Sequence, residues 1–272
     1  MSKERILITV KTYPVISSTY DELVCTAGVK EDGSWVRIYP VQYRQIDDYE
    51  RKYQKWDWIE IDIIKNTSDH RIESFRPVDQ DSIRIIKSMG KEQNWYERRQ
   101  TIIENGTVYH DLDELISLNK QGKLSLATFK PSNILDLEIK PDSREWDIKK
   151  LDHLEQKAKQ QDLFSETSKI FNYVKKLPYK FCYKFSDSKG RISTLMIEDW
   201  EIGQLFWNAL KKHKDESVAV QKVKDKYFDE FTSRKDLYLF LGTTKEWDKR
   251  SNNPFIIIGV FYPPQDNQKS LF

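Results

Sequence analysis

The stretch "ELVCTAGVKEDGSWVRIYPV" at residues 22–41 constrains the fold more than any other. Two runs of alternating apolar residues flank Glu31-Asp32-Gly33, and Asp-Gly supplies the positive φ that a tight hairpin turn needs. Upstream, "RILITVKTYP" alternates as well, with Ile6, Ile8 and Val10 expected on one face and Thr9, Lys11 and Tyr13 on the other. Period-2 alternation buries one face of a strand, so this end of the chain commits to a sheet with one covered side.

The pattern continues along the chain. "WDWIEIDIIKN", "RIESFRPV" and "SIRIIKSM" read as strands, followed by helices over about 92–105 and 112–119. Strands at "SLATFKP" and "ILDLEIKP" end at Pro131 and Pro141. "WDIKKLDHLEQKAKQQ" is rich in helix formers but has a thin apolar stripe, which suits a solvated connector. Strands then resume with "PYKFCYKFSDSKGRISTLMIED", a hairpin turning through Asp187-Ser188-Lys189-Gly190. Two helices follow, "DWEIGQLFWNALKKH" and "ESVAVQKVKDKYFDEF". The first gathers Ile202, Leu205, Phe206, Ala209 and Leu210 on one face. "DLYLFLGTT" and "PFIIIGVFY" complete the strands.

Cys25 precedes Gly33 by eight positions, and Cys182 precedes Gly190 by the same eight, so each cysteine sits in the first strand of a hairpin. That rhythm suggests two copies of a small five-stranded barrel with a helix between strands. The expected class is α+β and β-rich. The expected division is a first barrel with a helical insertion over 1–142, a helical connector over 143–169, a second barrel with a helical pair over 170–264, and a flexible tail over 265–272.

Composition narrows the function. Aromatic residues make up 13% of the 272, enough for a packed core although hydrophobic residues reach only 38%. A net charge of +2 from 45 basic and 43 acidic residues excludes a polycation, so any nucleic-acid site must be a local patch. Two cysteines build neither a disulfide framework nor a zinc quartet. The start "MSKERILITV" lacks a signal peptide's apolar core and no run reaches membrane-spanning length, so a cytoplasmic chain with reduced thiols is expected.

Catalytic motifs are scarce. His70, His110, His153 and His213 share no metal-ligand spacing, and no P-loop, G-x-G-x-x-G or G-x-S-x-G occurs. No cofactor, metal or catalytic residue is therefore expected. "HDLDE" at 110–114 opens a helix, where acids suit the positive end of the dipole. Cys25, inside a strand, reads as a small buried hydrophobe before it reads as a nucleophile. Glu198, Asp199 and Glu201 cluster where a strand hands over to a helix. Capping is the first reading there, and a divalent-cation site on a nucleic-acid enzyme is the second.

The suggestive pattern pairs cations with rings on one strand face: Lys11 with Tyr13, and Trp35 with Arg37 and Tyr39. "YQKWDW" and "YKFCYKF" repeat the mix, the latter through Lys180, Tyr183 and Lys184, while Arg44, Arg71 and Arg76 lie in nearby segments. Such a face suits single-stranded DNA or RNA, with bases stacked on rings and phosphates tracked by cations. It equally suits an exposed sheet face solvated by Lys and Arg.

The blocks "ILITVKTYP", "LVCTAGVKEDGSWVRIYPV", "YKFCYKFSDSKGRISTLMIEDWE" and "FLGTT…FIIIGVFYPP" resemble an uncharacterised prokaryotic family with a dual OB-containing domain, over residues 5–264. The resemblance implies two OB barrels and a nucleic-acid role in genome maintenance or defence against phage. It implies no catalytic residue. The last five residues, Gln268-Lys269-Ser270-Leu271-Phe272, are similar to the peptide by which bacterial proteins dock on the replicative sliding clamp, Gln-Leu-Ser/Asp-Leu-Phe. Lys269 departs from it. Gln268, Ser270, Leu271 and Phe272 would then be the partner-binding residues. The alternative is an adaptor whose barrels hold a neighbouring defence or repair protein and touch no nucleic acid.

Overall fold

The computed structural model describes residues 2–16, 22–41, 53–147 and 175–265. Among the described residues seven strands belong to the N-terminal half: β1 (Ser2–Lys11), β2 (Val15–Ile16), β3 (Glu22–Val29), β4 (Trp35–Val41), β5 (Asp57–Lys65), β6 (Ser74–Pro77) and β7 (Arg84–Ser88). Five of them close a barrel. The order runs β1-β3-β4-β6-β5, and β5 returns to pair with β1. Every pairing is antiparallel except β4 with β6. This is an OB-like barrel. Ile6, Ile8, Val36, Ile38, Ile59, Ile61 and Ile63 share its interior cluster, the outcome of period-2 alternation in β1, β4 and β5. The expected hairpin joins β3 to β4, and Gly33 takes φ 79° in its turn.

The alternation in β1 does not run as the sequence suggests. A bulge between Ile8 and Val10 shifts the register against β3. Ile6 and Ile8 stay inside the barrel, while Val10 joins Leu7 in the cluster packed against the C-terminal half. One extra residue in a strand re-aims everything after it. Here it turns Lys11 toward the barrel mouth, beside Tyr53.

The C-terminal half does not form the expected second barrel. Its described strands make two open sheets. One has the order β14 (Phe255–Phe261), β13 (Tyr238–Thr243), β9 (Leu126–Phe129), β8 (Val108–Tyr109); the other has β10 (Asn133–Pro141), β11 (Tyr179–Ser186), β12 (Ile192–Met196). The repeat of Cys before Gly is real at the level of hairpins, since β11 and β12 turn through Gly190 at φ 81°. It does not extend to closure. Strands β8, β9 and β10, which the sequence groups with the first barrel, pair inside these sheets.

Helices cover the C-terminal sheets: α2 (Leu112–Lys120), α3 (Trp200–His213), α4 (Glu216–Lys224) and the short α5 (Phe231–Arg234), while α1 (Glu92–Arg99) follows the barrel. Asp111 caps α2 by accepting the amides of Asp113 and Glu114, as its acidic start suggested. Asp199 and Asp215 cap α3 and α4 in the same way. Phe206, Ile202, Phe181, Tyr183, Phe231 and Phe255 anchor the core beneath. No described helix is long and apolar enough to cross a membrane.

The halves meet over the outer face of β1, β3 and β4. Leu7, Val10, Ala27, Val29 and Trp35 pack there with Leu126, Phe240, Ile258 and Phe261. An isolated bridge joins Thr12 to Asp199, and the Tyr13 amide donates to the Glu198 carbonyl at 2.8 Å. Helix α3 approaches so closely that a Cβ on Gly203 would lie 2.3 Å from the Tyr13 ring.

Candidate anion-binding cleft

The alternation of β4 is as expected, with Val36 and Ile38 inside and Trp35 and Arg37 outside. The outer face, however, is covered by the C-terminal half rather than open to a ligand. Trp35 lies edge-on to Phe240 at 5.2 Å. Arg37, only 2% exposed, donates from Nη1 to Ser125 Oγ at 2.9 Å and from Nη2 to the Ser125 carbonyl at 3.3 Å. Arg71 is buried beside Asp69, with Nη2 to Oδ2 at 2.6 Å, and its Nη1 donates to the Thr243 carbonyl. Tyr13 is buried in the seam, where its hydroxyl donates to the Lys175 carbonyl at 2.7 Å and accepts from Trp207 Nε1 at 2.8 Å.

Tyr183 is fully buried and donates to the Tyr227 carbonyl. The period-2 pattern puts it on the core face of β11. Tyr39 is half-buried, and its carbonyl accepts from Asn66. Arg76 and Lys180 are exposed, Lys180 at 3.7 Å from Asp142, and Lys184 lies opposite Thr194 and Asp136 in register. The residues singled out from sequence thus do not form one continuous face. Arg44, His153, most of the connector and the tail with Gln268, Ser270, Leu271 and Phe272 lie outside the described residues.

Lys11 leads instead to a cleft of about 330 Å³ between the halves. Its Nζ lies 5.4 Å from the Tyr53 ring centroid and 5.3 Å from that of Trp200, within cation–π range of both. Burial, with Lys55 close by, pulls the Lys11 ammonium down to about 7, against the opposing pull of Asp57 and Glu201. Residues 54–56 form the next wall. Trp56 takes φ 76°, a left-handed conformation in which its amide N–H donates to the Ile8 carbonyl at 2.6 Å. Lys55 Nζ sits 3.1 Å from both Asp199 Oδ2 and Glu201 Oε2. Burial alone would lower this ammonium, yet the two carboxylates outweigh it and hold Lys55 above its ordinary value.

The third wall comes from α1. Gln93, Asn94 and Trp95 are all left-handed, at φ 47°, 56° and 63°, a run L-residues adopt only when their surroundings demand it. The turn carries Trp95 inward against Trp56, Phe261 and Tyr262. The Arg98 guanidinium lies 4.5 Å from the Trp56 ring and 5.0 Å from Trp95, and donates through Nη2 to the Met89 carbonyl. Its Nε is buried without a hydrogen-bond partner. Burial lowers Arg98 to about 10, which leaves it charged at neutral pH. Lys91 Nζ, 5.4 Å from the Trp95 ring, completes the cationic rim. Trp200 and Glu201 enter from the first turn of α3, and Tyr262 from the end of β14.

Among the described residues the lining carries four basic side chains and one carboxylate, with three indole or phenol rings among them. Cations and rings side by side have the chemistry to pair with an anionic group that adjoins a flat face. Of the acidic trio weighed from sequence, Asp199 is the cap of α3 and, with Glu201, the counter-ion of Lys55. Burial raises the carboxyl of Glu198. Among the described residues no group of His, Cys, Asp and Glu side chains could hold a metal ion. Burial pushes both thiols, Cys25 and Cys182, up from their ordinary values, which suits packing rather than nucleophilic chemistry.

Residues 106–272 match the family described as Domain of unknown function (DUF8757). The chain belongs to that family. Residues 2–104 match a second family, Domain of unknown function (DUF8758). The barrel thus lies in the DUF8758 segment and the open sheets in the DUF8757 segment, and the cleft is lined from both. No curated protein matches the chain. Among solved structures the chain is similar to one described as a murine DNA binding protein bound with double-stranded DNA. The likeness covers 98% of each chain at 6% identity, with a TM-score of 0.32, too low to carry fold or ligand across.

Sequence reasoning missed Lys91, Arg98, Trp200 and Tyr262. Lys55 and Trp56 were visible in "YQKWDW" as part of the cation-and-ring pattern. "KEQNWYERR" carried the same mixture, but its helical setting hid the left-handed turn that folds it over the cleft.

Proposed function

We propose that this chain binds single-stranded nucleic acid, and that the cleft between the halves receives a base together with its phosphate. The observation that carries the reading is the convergence of Lys11, Lys91 and Arg98 with Trp200 and Tyr262 around one opening. Rings offer sequence-tolerant stacking and cations follow the backbone, the combination that non-specific single-strand binders use. The test is fluorescence anisotropy with labelled single-stranded DNA and RNA over a salt series. Binding should weaken steeply as salt rises, and Trp200→Ala with Lys91→Glu should reduce it. No binding of either strand at low salt overturns the reading.

A role in genome maintenance or defence follows as a proposal from the family resemblance. The C-terminal peptide from Gln268 to Phe272 is the element proposed to dock on a sliding clamp. Deleting those five residues should abolish clamp pull-down, and an intact chain that captures no clamp removes that part.

A further inference from the structure

The described residues behind the lining of the cleft, Tyr53, Asp199 and Phe261, are buried at 1%, 0% and 0% exposure. A volume of about 330 Å³ lies at the low end for ligand pockets and suits one nucleotide-sized unit rather than a run of them. Asp199 and Glu201 engage Lys55, and Lys91 and Arg98 line the same opening. Two cations can be met by a single phosphate group that carries two charges. A phosphomonoester carries close to two negative charges at neutral pH and three acceptor oxygens.

Arg98 supplies the specific contact. It is 5% exposed, its guanidinium is fixed in the company of two indoles, and its Nε has no hydrogen-bond partner. A buried donor left unsatisfied is costly and rare, and at a cleft it marks where an acceptor belongs. The planar fork of an arginine matches two phosphate oxygens at once.

We infer that the cleft is an end-binding pocket, which takes the terminal nucleotide of a strand by its phosphomonoester, with Arg98 as the fork and Trp200 or Tyr262 against the base. This rests on the reading above that the cleft takes nucleic acid. The full chain should bind an oligonucleotide with a terminal phosphate about tenfold more tightly than the same strand ending in hydroxyls, since a second charge at close range is worth on the order of 1 kcal/mol or more. Strands phosphorylated at the 5′ end only and at the 3′ end only distinguish which end is read. Arg98→Lys keeps the charge and removes the fork. Lys91→Glu, at an exposed position, guards against a misfolded Arg98 variant. Either substitution should shrink the preference toward unity while leaving thermal unfolding cooperative. Equal affinity for phosphorylated and hydroxyl ends overturns the inference and leaves strand binding intact, whereas absence of binding to any strand overturns both. A preference that survives both substitutions removes the phosphate from this cleft.

Discussion

Two clusters of buried cations lie in the same seam, and they are built differently. In the first, Arg37 and Arg71 face Asp69 and Glu73, two charges against two, and the remaining donors meet the Ser125 and Thr243 carbonyls. Asp69 also accepts from Ser74, and both oxygens of Glu73 accept from Ser125. Nothing in that network awaits a ligand. In the second, Lys55 is satisfied by Asp199 and Glu201 and Lys11 Nζ donates to the Tyr53 carbonyl at 3.4 Å, but Arg98 is buried beside an open volume and its Nε is unpaired. Burial of charge is common to both. What separates a structural network from a binding site is whether the donors are used up.

The largest expected effect comes from removing Lys55 from between Asp199 and Glu201 in the second cluster. Lys55→Met leaves Asp199 buried with no cation beside it, a loss of about 3–5 kcal/mol. Urea denaturation measures it, and adding Asp199→Asn should recover part of the loss because the orphaned charge is gone. A double variant no more stable than the single one would show that Asp199 is supported by the amides of Val260 and Glu201 rather than by Lys55. Arg37→Met in the first cluster should cost about 2–4 kcal/mol, since it removes bonds to two carbonyls and unbalances Asp69 and Glu73. Strand affinity of the refolded protein should not change. A fall in affinity without a fall in stability would make the first cluster part of the ligand site.

The comparison also shows where the sequence was legible. Alternation placed Ile6, Ile8, Val36 and Ile38 inside a barrel and Asp-Gly placed its hairpin, because those signals are local. Trp35 and Arg37 were rightly assigned to the opposite face of β4. Alternation says that a face is polar but not what lies over it, and here the C-terminal half does. The bulge at residues 8–10 left no trace in composition, yet it decides that Lys11 reaches the cleft. The second barrel failed for a related reason. A hairpin with Gly190 at its turn specifies two strands, whereas closure depends on pairings between distant segments.

Lys91→Glu sharpens the distinction at smaller cost. Lys91 is exposed, so stability should move by no more than about 0.5 kcal/mol. Strand affinity should fall about tenfold and its salt dependence should become shallower, because one phosphate contact is lost. An unchanged salt slope would place the phosphate elsewhere.

Lys11→Met is the subtlest test, because stability and binding should respond to pH in opposite directions. The Lys11 ammonium faces Lys55, Asp57, Glu201 and the rings of Tyr53 and Trp200, and it sits near 7 instead of its ordinary 10.5. Between those two values the unfolded chain holds a proton that the folded chain has released. Stability of the unliganded protein therefore rises with pH across that window, and below about 7 the folded chain carries the buried charge in full. Affinity for an anion runs the other way and falls as pH climbs past about 7, when the ammonium that faces it is lost. Replacing Lys11 by Met should raise stability at neutral pH by on the order of 1 kcal/mol, flatten its rise with pH, and remove the loss of affinity. Denaturant titrations and anisotropy at about pH 6 and about pH 9 read both quantities. If the affinity slope persists in Lys11→Met, the titrating group of the cleft is another one, and Lys11 belongs with Arg37 and Arg71 as a cation that holds the halves together.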